Sequence, residues 1–517
     1  MSEAEKQLSS TCGDAAEAPV KAVSMDVSEV LLLIAAFISA LFFWFGHRPF
    51  TGFFYGPGIG LTVTHWTLTA AALLTSRRRH ILRKSFEGIF LLLLSLLLSA
   101  VYGVYANLTL RLLNLPVLMA ATAQALFSLT KQNANPALSG QGLWEGFRRF
   151  AYSLVFHWGV PFRALKRGRI RKALNAQFLF GSFAALTAGI VALTILSSAD
   201  IVFSDMISSA VNRAGKIDGT FFIRIILSFM LGMPIFSFLY GLLQKPMEIP
   251  AVKPVRGVPS VFSMVLGTLS FIYGVFAYVQ IRYLFAGAES VRINGGYAAY
   301  ARSGFFQLVI VALLTLLIIL PALSVCRESK AVRILSSAAA LLTAVIDFSA
   351  FFRMRLYIAA YGLTTLRVVT LWGIAMILLA LLASIAKAWQ PAFRICPVLA
   401  SVVLASWTLL NWSNVDKLVS ENLVSRYNAS AGIGQDAESD RIHAIESLAS
   451  DGYWSPDYYA AFRRIKDPDV RDEALALLNS RGAEADDEDR LRRNPPFYDW
   501  SLCYLKLPGE ASSSFPE

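Results

Sequence analysis

Charged residues, cysteine and histidine are all scarce in this sequence. Asp, Glu, Lys and Arg together make up only 16% of its 517 residues, against about 25% in a typical soluble protein. The four cysteines are widely separated and form no CxxC pair, so neither a disulfide framework nor a zinc site is predicted. No nucleotide loop, metal-ligand motif or nucleophile triad is recognisable. We therefore predict no catalytic residue, no metal and no cofactor, and whether the protein is an enzyme stays open.

Long apolar runs dominate the sequence instead, with 56% hydrophobic residues and a mean hydropathy of +0.53. Because hydrocarbon offers the backbone no partners, spans must be helices or closed barrels, and continuous runs exclude alternating barrel strands. With about 20 residues per crossing, we predict an all-α polytopic transmembrane helix bundle of about 11 spans with a small C-terminal extracytoplasmic helical region. The predicted spans are 27–45, 54–75, 86–106, 108–129, 176–197, 221–243, 261–284, 305–325, 334–352, 366–386 and 395–412.

The distribution of basic residues predicts the orientation. Of the 33 Lys and Arg residues between positions 30 and 411, 22 lie in every second gap between the predicted spans. By the positive-inside rule these gaps face the cytoplasm, and an odd number of spans then puts the N terminus inside and the C terminus outside. Basic charge between spans favours anionic lipid headgroups as partners, and we predict no nucleic-acid partner.

Composition divides the chain into four parts. Residues 1–26 form a polar tail predicted to be disordered in the cytoplasm, and residues 27–412 form the transmembrane domain with a basic cytoplasmic loop at 130–175. Residues 413–480 are predicted to form extracytoplasmic helical hairpins, and 481–517 an acidic linker and C-terminal segment.

Bulky apolar residues and Arg/Lys interleave between positions 143 and 174 of the basic loop. This mixture predicts an amphipathic helix on the inner leaflet, which either binds anionic lipid headgroups or serves only as a topology determinant. In the C-terminal region, Ser455 before Pro456 and Asp467 before Pro468 predict two helix starts.

Six arginines between positions 282 and 367 fall on the predicted outer side and so oppose the insertion bias. Asp347 lies within a predicted span, where an unpaired acid is costly, so we expect it to meet one of these arginines. We predict a structural ion-pair network joining the seventh to tenth spans, with an anion or headgroup site as the alternative. The candidate residues are Arg282, Glu289, Arg302, Asp347, Arg353, Arg355, Tyr357, Tyr361 and Arg367.

Three polar motifs, QIRYLF, YAAYARSGFFQLV and RMRLYIAAYGLTTLR, occur in this order between apolar runs. In this combination the chain resembles the bacterial multi-span proteins grouped as domain of unknown function four-one-seven-three, related to the four-one-five-three group, over roughly residues 25–450. The resemblance implies an integral protein of the bacterial cytoplasmic (inner) membrane and carries no established activity. The acidic stretch beyond about residue 480 departs from it. The matching positions are Tyr283, Leu284, Phe285, Tyr300, Ala301, Arg302, Gly304, Phe305, Tyr357, Tyr361, Gly362, Leu363, Thr364 and Arg367.

These features favour a non-enzymatic, envelope-associated sensor or scaffold whose C-terminal region holds an envelope protein partner. A transporter or permease for a small anionic or amphipathic solute is an alternative, suggested by Pro234 and Pro321 within spans and by the outer arginines. A membrane enzyme acting on a lipid-linked substrate is a further alternative, suggested by the outer Arg, Tyr and Asp groups, including Asp467 and Asp469.

Overall fold

The computed structural model describes residues 25–46, 58–165, 219–244, 258–285, 305–326, 328–429 and 455–480, and within these ranges helices are the regular secondary structure, without strands. In chain order the helices are α1 (Val27–Gly46), α2 (Ile59–Arg78), α3 (Phe86–Val104), α4 (Leu108–Leu129), α5 (Gly140–Val155), α6 (Gly159–Leu165), α7 (Gly219–Gly241), α8 (Pro259–Phe285), α9 (Phe305–Val325), α10 (Lys330–Tyr361), α11 (Thr365–Trp389), α12 (Ile395–Trp412), α13 (Val415–Asn428), α14 (Pro456–Phe462) and α15 (Pro468–Ser480).

Nine of the described helices are long and apolar enough to cross a membrane, namely α1, α3, α4 and α7 to α12. They confirm the predicted helical polytopic bundle. The predicted second span is also a helix, α2, but it is not among the nine, because Thr and His residues interrupt its apolar run. The predicted span at 176–197 lies outside the described residues, as do the two ends of the chain, 1–24 and 481–517. The number of spans, and the orientation that depends on it, therefore stay predictions.

Side-chain caps begin many of the helices. In each case a side-chain oxygen accepts the backbone N–H three residues further on, which satisfies one of the free amides of the first turn. At α15 the cap is Asp467, as predicted, since its carboxylate accepts the amides of Asp469 and Val470 over 3.0 and 3.4 Å. Ser455 occupies the predicted position before α14, although its hydroxyl caps no amide. The other capping residues are Ser85, Asn107, Ser329, Thr364 and Asn414.

The helix α10 is longer than the sequence predicted, because it continues to Tyr361 rather than ending near residue 352. Arg and Met are good helix formers, and the first stop signal is Gly362, with φ of 78°. A Cβ atom on Gly362 would lie 2.6 Å from Cδ2 of Leu423 in α13. The glycine is therefore required both by the backbone conformation and by the close approach of α13.

The chain divides into two compact units, residues 1–41 with 151–244, and residues 42–150 with 245–517. In the first unit, α1 and α7 pack through the rings of Phe37 and Phe229, whose centroids are 5.5 Å apart. Gly232 lies against Phe37, and a Cβ there would be 3.1 Å from the ring. This close approach lets the two helices share one apolar core with α6.

In the second unit α10 is the central helix and packs against α8, α9 and α11. Two apolar clusters fill these contacts, one around Val332 and Leu381 and one around Ile346 and Ile374. The helices α2, α3 and α4 form a neighbouring group, and α12 and α13 join that group to α11. The C-terminal α14 and α15 pack on α13, which itself contacts the α10–α11 turn.

Candidate functional site

The predicted cluster of arginines and tyrosines divides into separate groups in the structure. Arg282, in the last turn of α8, donates from Nε to the hydroxyl of Tyr278 over 3.3 Å. Its guanidinium carbon lies 5.7 Å from the centroid of that ring. Arg355, on α10, is exposed. Glu289 and Arg302 lie outside the described residues, so their part in an ion-pair network stays a prediction.

Tyr357, Tyr361 and Arg367 do come together, at the C-terminal end of α10. The guanidinium of Arg367 lies 4.2 Å from the centroid of the Tyr357 ring, which lies 5.1 Å from the ring of Tyr361. Its Nη1 atom donates to the carbonyl of Tyr361 over 3.0 Å and to that of Gly362. The last carbonyls of a helix have no partner within it and carry partial negative charge. They therefore stabilise the charge of Arg367.

A second arginine, which the sequence did not single out, binds the same helix end. Arg426 of α13 donates to the carbonyl of Ile358 over 3.1 Å and to that of Ala359 over 2.7 Å. On the same helix, Asn422 accepts the amide of Leu363 over 3.1 Å. Side chains of α13 thus hold the end of α10 and the turn into α11. No local pattern could have indicated this, because Arg426 and Ile358 are 68 residues apart.

Arg353 and Asp347 do not form a pair. Arg353 donates from Nη2 to Oε1 of Gln280 on α8 over 3.1 Å, and the hydroxyl of Ser349 donates to the same oxygen over 2.9 Å. Asp347 is 1% exposed, and neither of its carboxyl oxygens has a hydrogen-bond partner among the described residues. The expected contact of Asp347 with an arginine is therefore absent for each arginine that the structure describes, and a contact with Arg302 stays a prediction.

A buried polar network that the sequence did not single out joins α4 to the C-terminal helices. Asn107, the N-cap of α4, donates from Nδ2 to Oδ1 of Asp416 in α13 and to the hydroxyl of Thr365 in α11 over 3.2 Å. Tyr458 of α14 donates to the same Asp416 oxygen over 3.4 Å. Three helices, α4, α13 and α14, therefore meet at one carboxyl group that is only 2% exposed, and Asn107 links α11 to them.

The ionisation of Asp416 is governed by its burial. Removal from water raises the pKa of Asp416 from 3.8 to about 6, the hydrogen bond from Asn107 opposes this rise, and the charge of Asp457 adds to it. The carboxyl group therefore changes its charge close to neutral pH. Because it lies where α4, α13 and α14 meet, we expect the contact between α4 and α13 to depend on its protonation.

A small cavity lies beside this carboxyl group, between the ends of α3 and α12 and the starts of α4 and α13. Its volume of about 10 Å³ is close to the smallest that holds one water molecule. Arg111, one of its lining residues, donates from Nε to the carbonyl of Tyr105 over 3.0 Å and from Nη2 to that of Tyr102 over 2.9 Å. Carbonyls at the C-terminal end of α3 thus accept hydrogen bonds from Arg111, as carbonyls at the end of α10 do from Arg367.

About one helical turn after Arg111 on α4, a pair of asparagines links α4 to α12. Asn114 donates from Nδ2 to Oδ1 of Asn411 over 2.7 Å, and the indole of Trp407 donates to Oδ1 of Asn114 over 2.6 Å. The Trp407 ring also lies 4.8 Å from that of Trp372 in α11. Both asparagines are fully buried, so each hydrogen bond replaces one that water would otherwise make. The network fixes the register of α4 against α12.

The helix α5 buries its ion pair and exposes the aromatic residues Trp144 and Phe147. Arg149 donates to Oε1 of Glu145 over 2.8 Å, and both side chains are buried. Burial alone would raise the pKa of Glu145, but hydrogen bonds from Ala134, Arg149 and Asn135 together lower it. By contrast, large apolar side chains of the helix are exposed, including that of Phe147 at 63%. An exposed apolar face of this kind is typical of helices that lie in a membrane interface.

Comparison with known proteins assigns the family. The model of the family described as Domain of unknown function (DUF4153) matches residues 88–451, more than half of the 517-residue chain. The match includes α4, α10, α11 and α13, and so the Asn107–Asp416 contact and the α10–α11 turn. No curated protein and no solved structure matches the chain. This multi-pass membrane protein therefore belongs to the DUF4153 family, the second of the two related groups that its motifs resemble.

Proposed function

We propose that this protein is a non-enzymatic sensor or scaffold of the bacterial cell envelope, embedded in the cytoplasmic (inner) membrane. Its C-terminal helices α13 to α15 hold an envelope protein partner, and α13 transmits that binding to the membrane helices. The N terminus lies in the cytoplasm, and α13 to α15 lie on the opposite side of the membrane. The observation that carries this proposal is that α13 is hydrogen-bonded at its two ends to different membrane helices.

An apolar face and two polar ends hold α13 in place. Val415, Val419 and Leu423 recur at a spacing of four residues, so they lie on one face of the helix. All three are buried and belong to one apolar cluster with Leu98 and Trp407 of the membrane helices. The first turn of α13 binds the start of α4, and its last turns bind the end of α10. A displacement of α13 must therefore change the contacts of at least one membrane helix.

The helices α14 and α15 form a platform on α13. Tyr427 of α13 packs with Tyr458 and Phe462 of α14 in an apolar cluster that also includes Ala474 of α15. The outer surface of the platform is polar and mixed in charge, which suits a partner held by a polar rim. Its exposed charged residues are Arg463, Arg464, Lys466, Asp469, Asp472 and Glu473.

Membrane lipids are the second partner class in this proposal. The exposed aromatic residues Trp144 and Phe147 of α5, whose rings stack 5.8 Å apart, are suited to the acyl boundary. The basic residues that follow within 143–174 are suited to anionic headgroups, although those beyond residue 165 lie outside the described residues. On this proposal α5 anchors the cytoplasmic surface of the protein to the inner leaflet.

The partner is tested by site-specific photo-crosslinking in living cells. A photoreactive amino acid replaces Glu473, which is exposed on α15, and in the control it replaces Met264, which is 78% exposed on the membrane helix α8. We expect a discrete protein adduct from the first position and lipid adducts only from the second. No adduct at Glu473, together with solute flux in liposomes of purified protein, would favour the transporter alternative.

Hydrogen exchange at the α10–α11 turn tests whether α13 couples partner binding to the membrane helices. Partner binding should change hydrogen exchange at the α10–α11 turn, and Arg426→Gln should remove that change while leaving the adduct at Glu473 intact. A matched control is Lys417→Gln, because Lys417 is exposed on α13 and is not among the charged residues of the platform. If the exchange at the turn responds equally in all three proteins, α13 does not couple the platform to the bundle. A metal-dependent activity abolished by changing Asp467 would instead favour the enzyme alternative.

A further inference from the structure

The carboxyl group of Asp347 lies deep within the membrane bundle. It is on α10, a helix of 32 residues, 17 residues after Lys330 and 14 before Tyr361. At 1.5 Å per residue these separations are about 26 Å and about 21 Å. The hydrocarbon core of a bilayer is about 30 Å thick, so its middle is about 15 Å from either surface. Asp347 is therefore within the hydrocarbon for any ordinary placement of α10.

Apolar and closely packed side chains adjoin Asp347 on the helix. Ile346 and Ala350 are 1% and 0% exposed and belong to a cluster with Leu308 of α9 and Ile374 of α11. A carboxyl group in such surroundings requires hydrogen-bond partners or a counter-charge if it is to be ionised. Neither oxygen of Asp347 has a hydrogen-bond partner among the described residues.

The charged groups on the helices that pack against α10 are engaged elsewhere. Arg282 of α8 contacts Tyr278, Arg367 of α11 binds carbonyls at the end of α10, and Lys387 of α11 binds the carbonyls of Pro391 and Phe393. The sequence of α9 contains no charged residue.

Along α10 itself, Arg353 binds Gln280 and Arg355 is exposed. Lys330 and Arg333 are at least 14 residues away, or about 21 Å along the helix. Among the described residues, no cation is therefore in contact with the carboxyl group of Asp347.

Neutral polar groups flank Asp347 on both sides along the bundle. Toward the start of α10, the hydroxyls of Thr343 and Thr315 lie 3.3 Å apart, and the Thr315 hydroxyl lies 3.2 Å from that of Tyr273. Toward its end, Ser349 donates to Gln280. Such groups both donate and accept hydrogen bonds without carrying a net charge.

We propose that Asp347 is an intramembrane proton-binding site, in which the carboxyl group holds a proton within the core that α8, α9 and α10 form around it. The protonated carboxyl is uncharged and carries its own O–H donor, so it avoids the cost of an ion in hydrocarbon. A metal cation fits the position less well, because it would need several oxygen ligands converging on Asp347. The site is independent of whether the C-terminal helices bind a partner.

The site is tested with dicyclohexylcarbodiimide, a lipophilic reagent, on the full-length protein in proteoliposomes at pH 7. The carboxyl proton moves to one nitrogen of the carbodiimide while the carboxyl oxygen bonds to its central carbon. The resulting O-acylisourea rearranges to a stable N-acylurea, and no further reagent is consumed. An ordinary exposed aspartate is protonated in about one molecule in a thousand at pH 7. Peptide mass spectrometry should therefore find Asp347 labelled on the order of a hundredfold more than the exposed Asp472.

Infrared spectroscopy gives a second measurement on the unmodified protein. The carbonyl band of a protonated carboxyl group should be present at pH 7 and should be missing from Asp347→Asn, which has nearly the same shape. Absence of that band from the wild-type protein would overturn the proposal, as would labelling of Asp347 no stronger than that of Asp472. Protection of Asp347 by excess Na⁺ at constant pH would assign a cation site and overturn it too. The labelling uses only the wild-type protein, so it does not depend on the folding of the variant.

Discussion

Replacing Asp416 by asparagine should make the stability of the contact between α13 and the membrane helices independent of pH near neutrality. Asparagine keeps an oxygen that can accept the hydrogen bonds from Asn107 and Tyr458. It cannot ionise, and it has nearly the same volume as aspartate. The substitution therefore changes the charge of this buried position and little else.

The size of the effect follows from the pKa of Asp416, which burial raises from 3.8 to about 6. A raised pKa means that Asp416 binds its proton more tightly when α13 is docked, that is, packed against the membrane helices, than when α13 is detached and the carboxyl group is in water. Docking is therefore most stable at low pH and weakens as the pH rises from about 4 to about 6. Since each pH unit is worth about 1.4 kcal/mol, the charged form costs on the order of 3 kcal/mol at pH 7.

Hydrogen exchange of the amides of α13 and α14 measures this cost locally, after correction for the intrinsic exchange rate. In the wild-type protein the protection factors should fall by about a hundredfold between pH 4 and pH 8, which corresponds to two pH units of linkage. In Asp416→Asn they should stay nearly constant at the higher level. The matched control is Asp472→Asn, because Asp472 is exposed and should leave the pH profile unchanged.

Two results would refute the reasoning. A wild-type profile that is flat between pH 4 and pH 8 would mean that Asp416 does not titrate in this range. A profile that persists in Asp416→Asn would mean that another group governs the docking. Protection that is lost at every pH in the variant would show that asparagine fails to keep the hydrogen bonds, and Asp416→Glu then separates charge from geometry.

Three further predictions concern the same contacts and the lipid interface. Gly362→Ala should destabilise α13 against the bundle by about 1–3 kcal/mol, because φ of 78° disfavours alanine and the new methyl group meets Leu423; hydrogen exchange of α13 checks this. Arg426→Gln should cost about 1–2 kcal/mol by leaving helix carbonyls without a cation, whereas Arg464→Gln should cost less than about 0.5 kcal/mol in the same assay. A spin label at Trp144 should be relaxed more by oxygen than by a water-soluble nickel chelate, and the reverse order would show that α5 faces water.

Local signals in the sequence were sufficient to predict where several of the helices lie. The predicted spans 305–325 and 395–412 coincide with α9 and α12, because uninterrupted apolar runs of this length are stable only as membrane helices. The Asp467 cap of α15 was also predictable, because it depends on a contact three residues away. The predicted span 334–352 lies within α10, which continues to Tyr361 because the first stop signal is Gly362.

The candidate site, by contrast, depended on which distant helices pack together. Apolar runs and charge distribution were enough to predict a helical membrane protein with basic residues between its spans and with Asp347 inside one span. Only the tertiary structure decided that Arg367 binds the end of α10, and that Asn107 meets Asp416 across 309 residues of chain. The position of a span depends on the free energy of moving its own side chains from water into hydrocarbon, which the local sequence contains. The partner of a buried polar group depends instead on which helices pack beside it.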